Sequence, residues 1–451
     1  MIKKEFPKNF LWGASTSDIQ IEGASGLYGK GETIWDRYCK QPGRILNNQN
    51  AEMACDHYHL YREDVKLMKE IGLKAYRLSI SWARVFPEGK NAWNKKGIDF
   101  YKKLIDLLLE NDIKPVVTLH HWGFPQKLQN IGGWVNRDVT DYFQEYVQFV
   151  FRNLGDKVET WITHNEPIGT SYLGFFKGSV APGIQDFYSS ILVTHHLLLS
   201  HAKAVETYRQ SGYTGEIGIT LNAHPAIPVS EKNEDKDAAH MLDLYFNRWF
   251  QDALFCGSFP NELIEFFSQK GIEIPEMSTD DFKKIMTPID FLGVNYYYPH
   301  YVKHNPLAWP FEADFSPSSQ NNPHTYTGWD IYPEGLYQSI RDIYKHYGRK
   351  KIYITENGLS LNDYPDENQK IMDLQRIDFH SRHIAQIKRC LSENMDIKGY
   401  FIWSLMDNFE WTYGYSQRFG ITYVDFKTQR RKMKESAEWY SNVIRNNGSF
   451  I

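Results

Sequence analysis

Two glutamates, Glu166 and Glu356, each lie at the end of an apolar, β-branched run of the sequence. The first belongs to Thr-His-Asn-Glu-Pro at 163–167 and the second to Ile-Thr-Glu-Asn-Gly at 354–358. Hydrolysis of a glycosidic bond requires two carboxyl groups that face each other across a cleft. The glutamates are 190 positions apart (356 − 166), so only a closed or strongly curved sheet could bring them together. The alternative is that each is an ordinary solvated glutamate at a strand end.

Such a reaction needs one protonated and one ionised carboxyl group near neutral pH. Neighbouring carboxylates raise each other's pKa, and Arg77 and Tyr297 are suited to keep the second carboxylate ionised by charge and hydrogen bonding. Sugar hydroxyls also need side chains that donate and accept hydrogen bonds, and a flat indole suits the apolar face of a sugar ring. The side chains that we predict to bind such a ligand are Gln20, His121, Asn165, Glu410, Trp403 and Trp411.

Several histidines lie close to Glu166 in the predicted sheet, so a metal site is a second possible interpretation. His120, His121 and His164 are the nearest candidates, but the sequence has no His-x-His or His-Glu-x-x-His spacing. Adjacent residues of a strand point to opposite faces, so only one of His120 and His121 can face inward. We expect His164 to face the helices. A serine nucleophile is also disfavoured, since no Gly-x-Ser-x-Gly segment occurs. We predict no catalytic metal and no cofactor.

Eight short apolar or β-branched runs end in polar or turn residues, which is typical of strands. They are Phe10–Thr16, Ala75–Ser81, Pro115–His120, Trp161–Asn165, Ile217–Asn222, Phe291–Tyr297, Ile352–Glu356 and Ile397–Leu405. Segments with helical apolar spacing lie between most of them, including Asp99–Leu109, Tyr142–Phe151, Ile191–Tyr208 and Gln375–Leu391. Alternating strands and helices indicate an α/β protein with a parallel sheet.

Eight such units close naturally into a (β/α)₈ TIM barrel. An open doubly wound sheet is the alternative, but no Gly-x-Gly-x-x-Gly follows a strand. We find no linker or low-complexity tract, and we therefore predict a single barrel domain over residues 1–451. Barrel chemistry sits at the C-terminal strand ends, where this chain supplies acids, amides and rings: Arg77, His121, Asn165, Glu166, Asn222, Asn295, Tyr297, Glu356 and Trp403.

Composition excludes several classes of partner. The 451 residues are 42% apolar and 24% charged, with a net charge of −4, which favours neither nucleic acid nor an anionic membrane as a partner. We interpret the basic run Lys427–Lys434 as a solvated helix face. No secretory signal or run of 18 apolar residues is evident, and the four cysteines are widely separated. We expect a cytoplasmic location and no membrane contact; the sequence carries no signal for the oligomeric state.

Several motifs, taken together and in order, resemble glycoside hydrolase family 1, the β-glucosidase family. They are Phe10-Leu-Trp-Gly-Ala-Ser-Thr16, Gln20-Ile-Glu-Gly-Ala24, Tyr76-Arg-Leu-Ser-Ile-Ser-Trp82, Leu119-His-His-Trp122, Asn165-Glu-Pro167, Asn295-Tyr-Tyr297, Thr355-Glu-Asn-Gly358 and Trp403-Ser-Leu-Met-Asp-Asn-Phe-Glu-Trp411. The resemblance covers almost the whole chain. It implies a (β/α)₈ barrel and a retaining mechanism.

The resemblance also implies roles for individual residues. Glu166 matches the family's acid/base and Glu356 its nucleophile, with Arg77, Asn295 and Tyr297 as neighbours that support the nucleophile. The positions that match sugar-binding residues of the family are Gln20, His121, Asn165, Trp403, Glu410, Trp411 and Phe419. The positions predicted on the aglycone side are Ile168, Asn222 and Trp329.

Two departures from the family pattern are visible. The family usually has tryptophan directly after Asn-Glu-Pro, where this chain has Ile168, and its Gly-Trp-Glu reads Gly328-Trp329-Asp330 here. Position 168 belongs to the family's aglycone side, so the leaving-group preference is open. Phospho-β-glycosidases of the family carry serine where Glu410 stands, so this chain resembles the branch that acts on unphosphorylated sugars.

These features predict an enzyme, a retaining β-glucosidase that cleaves terminal non-reducing β-D-glucosyl residues of cellobiose-like or aryl β-glucosides, as in cellulose degradation. Its partner would be a small β-glucoside or a short oligosaccharide. The alternatives are a catalytically silent carbohydrate-binding barrel and a 6-phospho-β-glucosidase. The presence of both Glu166 and Glu356 argues against the silent barrel.

Overall fold

The structure is a computed structural model that describes residues 5–317 and 322–451. Eight parallel strands form a closed barrel and follow one another around it in chain order. They are β1 (Leu11–Ser15), β2 (Ala75–Ser79), β3 (Lys114–His120), β4 (Thr160–Asn165), β5 (Glu216–Asn222), β6 (Phe291–Asn295), β7 (Lys351–Asn357) and β8 (Asp396–Trp403). The predicted fold class is therefore confirmed.

Helices surround the barrel and connect its strands. The longer ones are His57–Ile71, Lys95–Glu110, Val139–Leu154, Phe187–Gln210, Asn233–Asp243, Trp249–Cys256, Asn261–Gln269, Glu334–Tyr347, Leu374–Ser392 and Glu435–Arg445. Short helical segments span Asp18–Ile21, Ile34–Cys39, Leu46–Asn48, Trp82–Val85, Gln126–Gln129, Gly133–Val135, Thr279–Ile285 and Trp411–Tyr413, and π-helical turns span Gly169–Phe176 and Leu244–Arg248. None of the described helices is long and apolar enough to cross a bilayer.

The helix Lys95–Glu110 illustrates why these segments form. Asn94 caps its start by accepting a hydrogen bond from the Lys96 amide at 3.2 Å, which satisfies one of the free N–H groups of the first turn. Apolar residues then recur every three or four positions, so that Leu104 and Leu108 share one buried face. Burial of that face against the barrel, rather than helix propensity, supplies most of the stabilisation.

The inside of the barrel is packed below the strand ends that we predict to be functional. A separate cluster of buried side chains comes from the strands themselves: Ala75, Val116, Ile162, Phe291, Tyr353 and Phe401. Ala75 lies two residues before Arg77, so both side chains are on the same face of β2. The barrel therefore has a closed apolar floor, and polar side chains occupy the level above it.

Every predicted strand overlaps an observed one, but three predicted C-terminal ends are two residues too long. These are the ends of β2, β6 and β8, where apolar or aromatic residues continue after the ladder of hydrogen bonds stops. Ile80, Tyr296, Leu405 and their neighbours pack in the loops instead of the sheet. Hydrophobicity predicts burial there, and burial does not require a strand.

The prediction of a solvated helix face at Lys427–Lys434 is wrong. The chain forms a short antiparallel pair, Thr422–Val424 with Arg431–Met433. The Asp425 carboxylate accepts a hydrogen bond from the Lys427 amide at 2.9 Å, which favours a turn over a helix. Lys434 is fully buried, and its Nζ lies 2.7 Å from Asp407 Oδ1. The basic run is thus partly a buried ion-pair network.

Candidate active site

Two cavities open side by side at the C-terminal ends of the barrel strands. The first has a volume of about 390 Å³ and is lined by Glu356, Glu410 and Trp403, among others. The second has a volume of about 460 Å³ and is lined by Ile168. Both are lined by Glu166, which therefore lies at their junction. The side chains that they share are Trp122, Glu166, Leu173, Asn222, His224, Tyr298 and Trp329.

Glu356 is held by a cation and a phenol at the end of β7. Arg77 Nη1 donates to Glu356 Oε1, and Tyr297 Oη donates to Glu356 Oε2 at 2.7 Å. The carboxylate and the guanidinium are both buried. A buried carboxylate is stable as an anion only when it is paired and hydrogen-bonded, and both oxygens meet that condition here. The predicted support by Arg77 and Tyr297 therefore has a direct structural counterpart.

The local backbone at β7 and β8 depends on a glycine. Gly358 follows Glu356 and Asn357, and a Cβ atom at this position would lie 1.7 Å from the carbonyl oxygen of Trp403. Only glycine allows the two chains to approach this closely. Glycine at position 358 therefore lets β7 and β8 come close together, and this contact places Trp403 beside the end of β7 that carries Glu356.

Glu166 has a different environment at the end of β4. Its carboxyl accepts a hydrogen bond from Asn295 Nδ2 at 2.7 Å, and no lysine or arginine of the described residues contacts it directly. Burial, and secondarily the charge of Glu356, raise the pKa of Glu166 to about 8, although Asn295, Asn222 and Arg77 act to lower it. Its φ of 46° is in the left-handed region, which is costly for a non-glycine residue and clusters at functional sites.

Two asparagines connect these glutamates into one network. Asn165 Oδ1 accepts hydrogen bonds from Arg77 Nη2 at 2.6 Å and from Asn295 Nδ2 at 3.0 Å. Asn165 Nδ2 donates to His121 Nε2 at 3.0 Å. Burial, and then the charge of Arg77, hold the pKa of His121 well below its usual value. A neutral imidazole can accept this bond, so the network fixes both side chains at the edge of the first cavity.

Gln20 and Glu410 form a second polar pair in the first cavity. Gln20 Nε2 donates to Glu410 Oε2 at 3.2 Å and to Asn408 Oδ1 at 3.1 Å. Burial, followed by the charges of Glu356 and Glu166, raises the pKa of Glu410 to about 8. A carboxyl group beside an amide can both accept and donate hydrogen bonds, which is the combination that adjacent sugar hydroxyls require.

Aromatic rings complete the walls of the first cavity. The His121 ring stacks against Trp403 with centroids 5.8 Å apart, and Trp411 lies 4.8 Å from Trp122. Phe419 packs beside Tyr297 at 6.3 Å. The structure thus brings together all the residues that we predicted for catalysis and sugar binding, either in the lining or hydrogen-bonded to it. Their roles remain predictions.

The residues predicted on the aglycone side lie where the second cavity begins. Ile168 lines only that cavity, whereas Asn222 and Trp329 line both. Other rings of the second cavity were missed by the sequence analysis: Tyr172, His224, Phe246, Tyr298, His300 and Phe315. Tyr298 could have been found, because it directly follows the Asn295-Tyr-Tyr297 run. His224 could have been found too, because it lies two residues after the end of β5. Tyr172, Phe246, His300 and Phe315 carry no sequence signal that separates them from core residues.

Of the adjacent histidines His120 and His121 only one faces the barrel interior, as predicted, and His164 faces the helices. His164 Nε2 lies 2.8 Å from Ser200 Oγ of the helix Phe187–Gln210, so this side chain faces the helices. His120 packs outside the barrel against Trp134 with centroids 5.5 Å apart, while His121 lines the first cavity. Within residues 5–317 and 322–451, no group of three His, Cys, Asp or Glu side chains is arranged to hold a metal ion.

The chain is similar to known proteins over its whole length. The family model described as "Glycosyl hydrolase family 1" matches residues 2–449. "Beta-glucosidase A" of Acetivibrio thermocellus is 48% identical over 451 residues, 99% of this chain and 100% of that protein. "1,4-beta-D-glucan glucohydrolase" of Thermotoga neapolitana is 44% identical over 447 residues, 99% of each chain. The solved structure of the beta-glucosidase from Thermotoga maritima in complex with deoxynojirimycin matches with a TM-score of 0.95 at 43% identity, covering 99% of each chain.

Proposed function

The chain belongs to glycosyl hydrolase family 1, and on this premise we propose that it is a retaining β-glucosidase with Glu356 as nucleophile and Glu166 as acid/base. One observation carries these roles. The two buried glutamates share one edge of the barrel, yet Glu356 contacts a cation and a phenol whereas Glu166 contacts a neutral amide. Opposite environments of this kind assign one carboxyl as base or nucleophile and the other as acid.

In the first step, Glu356 attacks the anomeric carbon and forms a covalent glycosyl-enzyme ester, while the bond to the leaving oxygen breaks. Glu166 donates its proton to that oxygen. A pKa of about 8 keeps Glu166 protonated at neutral pH, which this step requires. Glu166 lies at the junction of the two cavities, where the scissile oxygen must lie if the sugar occupies the first cavity and the leaving group the second.

In the second step, water attacks the anomeric carbon and releases Glu356. Glu166 accepts the proton of that water, so the same residue acts first as acid and then as base. Arg77 and Tyr297 stabilise the Glu356 carboxylate when it leaves, since both already contact its oxygens. Two displacements on one carbon give a β product from a β substrate.

The unphosphorylated glucosyl unit fits the first cavity better than a 6-phosphoglucosyl unit. No lysine or arginine occurs among its described lining residues, which include Glu410. A phosphate dianion there would lose its hydration without gaining a cationic partner, and charges that are buried unpaired are costly. The substrate that we propose is therefore a cellobiose-like or aryl β-glucoside. We further propose one catalytic domain over residues 1–451, a cytoplasmic location and a role in cellulose breakdown.

The experiment that tests this function is proton NMR of the first product from an aryl β-glucoside. Retention predicts that β-glucose appears before the α anomer grows in by mutarotation. With a 2-fluoro glucoside that slows the second step, mass spectrometry should find the sugar on Glu356. Early appearance of α-glucose, or a label on another residue, would overturn the assignment, and absence of any hydrolysis would favour a silent carbohydrate-binding barrel.

A further inference from the structure

The second cavity is walled mainly by aromatic side chains. The Phe246 ring lies 4.8 Å from Tyr172 and 4.9 Å from His300, in edge-to-face arrangements of 74° and 80°. Tyr298, which also lines the cavity, stacks on Trp329 with centroids 4.7 Å apart. Flat faces and ring edges are therefore both available to a ligand, which is how aromatic groups bind each other.

Two of the histidines that line this cavity, His224 and His300, are neutral. His224 and His300 stack with centroids 4.3 Å apart and an interplanar angle of 10°. Burial lowers the pKa of His224 to about 4 and holds that of His300 well below its usual value, so both rings are neutral near pH 7. No lysine or arginine occurs among the described lining residues. An anionic leaving group would therefore have no lysine or arginine to pair with, and the Asp330 carboxyl group also lines the cavity.

Ile168 sets the size of the cavity next to Glu166. Its side chain is buried and lines the second cavity but not the first. The neighbouring Gly169 lies so close to Trp122 that a Cβ atom would be 2.1 Å from that indole. An indole at 168, as the family usually has, is much larger than isoleucine and would occupy part of the second cavity, which Ile168 lines.

A second sugar would pair poorly with these walls. Each hydroxyl that loses water without gaining a partner costs about 1–3 kcal/mol. In the first cavity, His121 and Glu410 supply such partners and are hydrogen-bonded to Asn165 and Gln20, whereas in the second cavity rings outnumber the polar side chains of Asn222, Ser316, His324 and Asp330. The second cavity is also larger, at about 460 Å³ against about 390 Å³ for the cavity that would hold one glucosyl ring.

We propose that the second cavity is a subsite for a planar, uncharged aromatic aglycone of two fused rings, and that Ile168 is the residue that admits it. This proposal rests on the β-glucosidase function and narrows its substrate class to bicyclic aryl β-glucosides. The aglycone would lie against the rings of Phe246, Tyr298 and Trp329, with its glycosidic oxygen at Glu166. Water leaves an apolar surface in this arrangement, and that burial supplies the selectivity.

The test compares 2-naphthyl and phenyl β-glucosides, whose leaving groups have similar acidity. In the parent enzyme, we expect kcat/KM for the naphthyl substrate to be higher by about tenfold or more, as for one added pocket contact. Ile168→Trp should abolish most of that advantage. The same substitution should lower the naphthyl activity about tenfold more than the cellobiose activity, because the indole would fill apolar space that the naphthyl ring needs while it offers the leaving glucose of cellobiose a flat apolar face.

Two controls make the comparison specific. Leu307→Trp introduces the same aliphatic-to-indole change at a side chain that is 90% exposed, and it should change neither the activity nor the ratio. A second measurement needs only the parent enzyme: 2-naphthol should inhibit cellobiose hydrolysis at a concentration about tenfold lower than phenol does. This measurement stands even where Ile168→Trp does not fold.

Three results would overturn the proposal. They are equal kcat/KM for the two aryl substrates, equal inhibition by the two phenols, and equal losses of naphthyl and cellobiose activity in Ile168→Trp. In each of these cases the enzyme still hydrolyses β-glucosides, so the proposed function survives and only the aromatic subsite fails. If no substrate of the panel is cleaved, the proposed function itself fails and the subsite fails with it.

Discussion

The two cavities that meet at Glu166 are built on different principles. In the first, polar side chains hold one another: Gln20 bonds Glu410, Asn165 bonds Arg77, and Tyr297 bonds Glu356. In the second, rings pack against rings and leave an apolar space. Directional hydrogen bonds discriminate strongly because a wrong ligand leaves buried partners unpaired, whereas an apolar pocket discriminates mainly by size. The first cavity should therefore select the sugar strictly, and the second should select the leaving group by shape.

The cavities also differ in where their residues come from. The polar network is supplied by the ends of barrel strands and the residues that follow them, which share one rim. The second cavity is walled by the π-helical segments Gly169–Phe176 and Leu244–Arg248 and by the small sheet Ala226–Pro228, His300–His304 and Ala313–Phe315. Chemistry thus lies on the rigid barrel, and leaving-group selection lies on the connections between strands, which tolerate change more readily.

The largest effect should come from Glu356→Ala. Without this carboxylate no covalent intermediate forms, so kcat/KM should fall by roughly 10⁴-fold or more for naphthyl glucoside and cellobiose alike. Steady-state kinetics with both substrates checks this, together with a thermal melt to establish that the variant folds. Substantial activity of the variant toward either substrate would show that Glu356 is not the nucleophile.

Glu166→Ala should separate substrates by their leaving groups. An activated phenol departs without a proton, so the glycosylation step with a dinitrophenyl glucoside should change little, while cellobiose hydrolysis should fall by about 10²–10⁴-fold. In the parent enzyme, kcat/KM should decline as pH rises through about 8, because Glu166 then loses its proton. This decline should disappear in the variant. Equal losses for both substrates would mean that Glu166 does not serve the leaving group.

A smaller effect concerns stability and involves Glu410. Its folded pKa of about 8 lies above its usual value of 4.5, so the folded state binds this proton more tightly than the unfolded chain does. The stabilising contribution is therefore complete at low pH and is lost as pH rises through about 8. The Tm of Glu410→Gln minus the Tm of the parent should therefore be a few degrees higher at pH 9 than at pH 5. Calorimetry at both pH values measures this, and a difference that is independent of pH would contradict it.

The sequence predicted the barrel and the first cavity because both depend on local patterns. β-Branched runs mark the strands, and polar residues that end those runs must converge at one rim when parallel strands close. The placement of Arg77, Asn165 and Glu356 in the site could be predicted from these two patterns alone. Two kinds of prediction failed because they depend on tertiary contacts that the sequence does not show. Apolar residues beyond the ends of β2, β6 and β8 are buried in loops, and the basic segment 427–434 is not a helix because residues such as Lys434 pair with distant acids such as Asp407.

The second cavity could not be predicted in the same way. Tyr172 and Phe246 lie in irregular helical turns, and an aromatic residue in such a segment is usually part of the core. Whether its ring closes a core or lines a void depends on how distant segments pack. The sequence pointed to this side of the site only through the family resemblance, at Ile168, Asn222 and Trp329. The departure at Ile168 indicated a change in leaving-group preference without indicating the other walls of the cavity.

The most direct test of the division between the cavities is a double-variant cycle with Glu410→Gln and Ile168→Trp. Glu410 lines only the first cavity and Ile168 only the second, and they share no hydrogen-bond partner. For kcat/KM with 2-naphthyl β-glucoside, the free-energy losses of the two single variants should therefore add in the double variant to within about 0.5 kcal/mol. A coupling of about 1.5 kcal/mol or more would show that sugar and leaving group are recognised by one connected site, and would contradict the account.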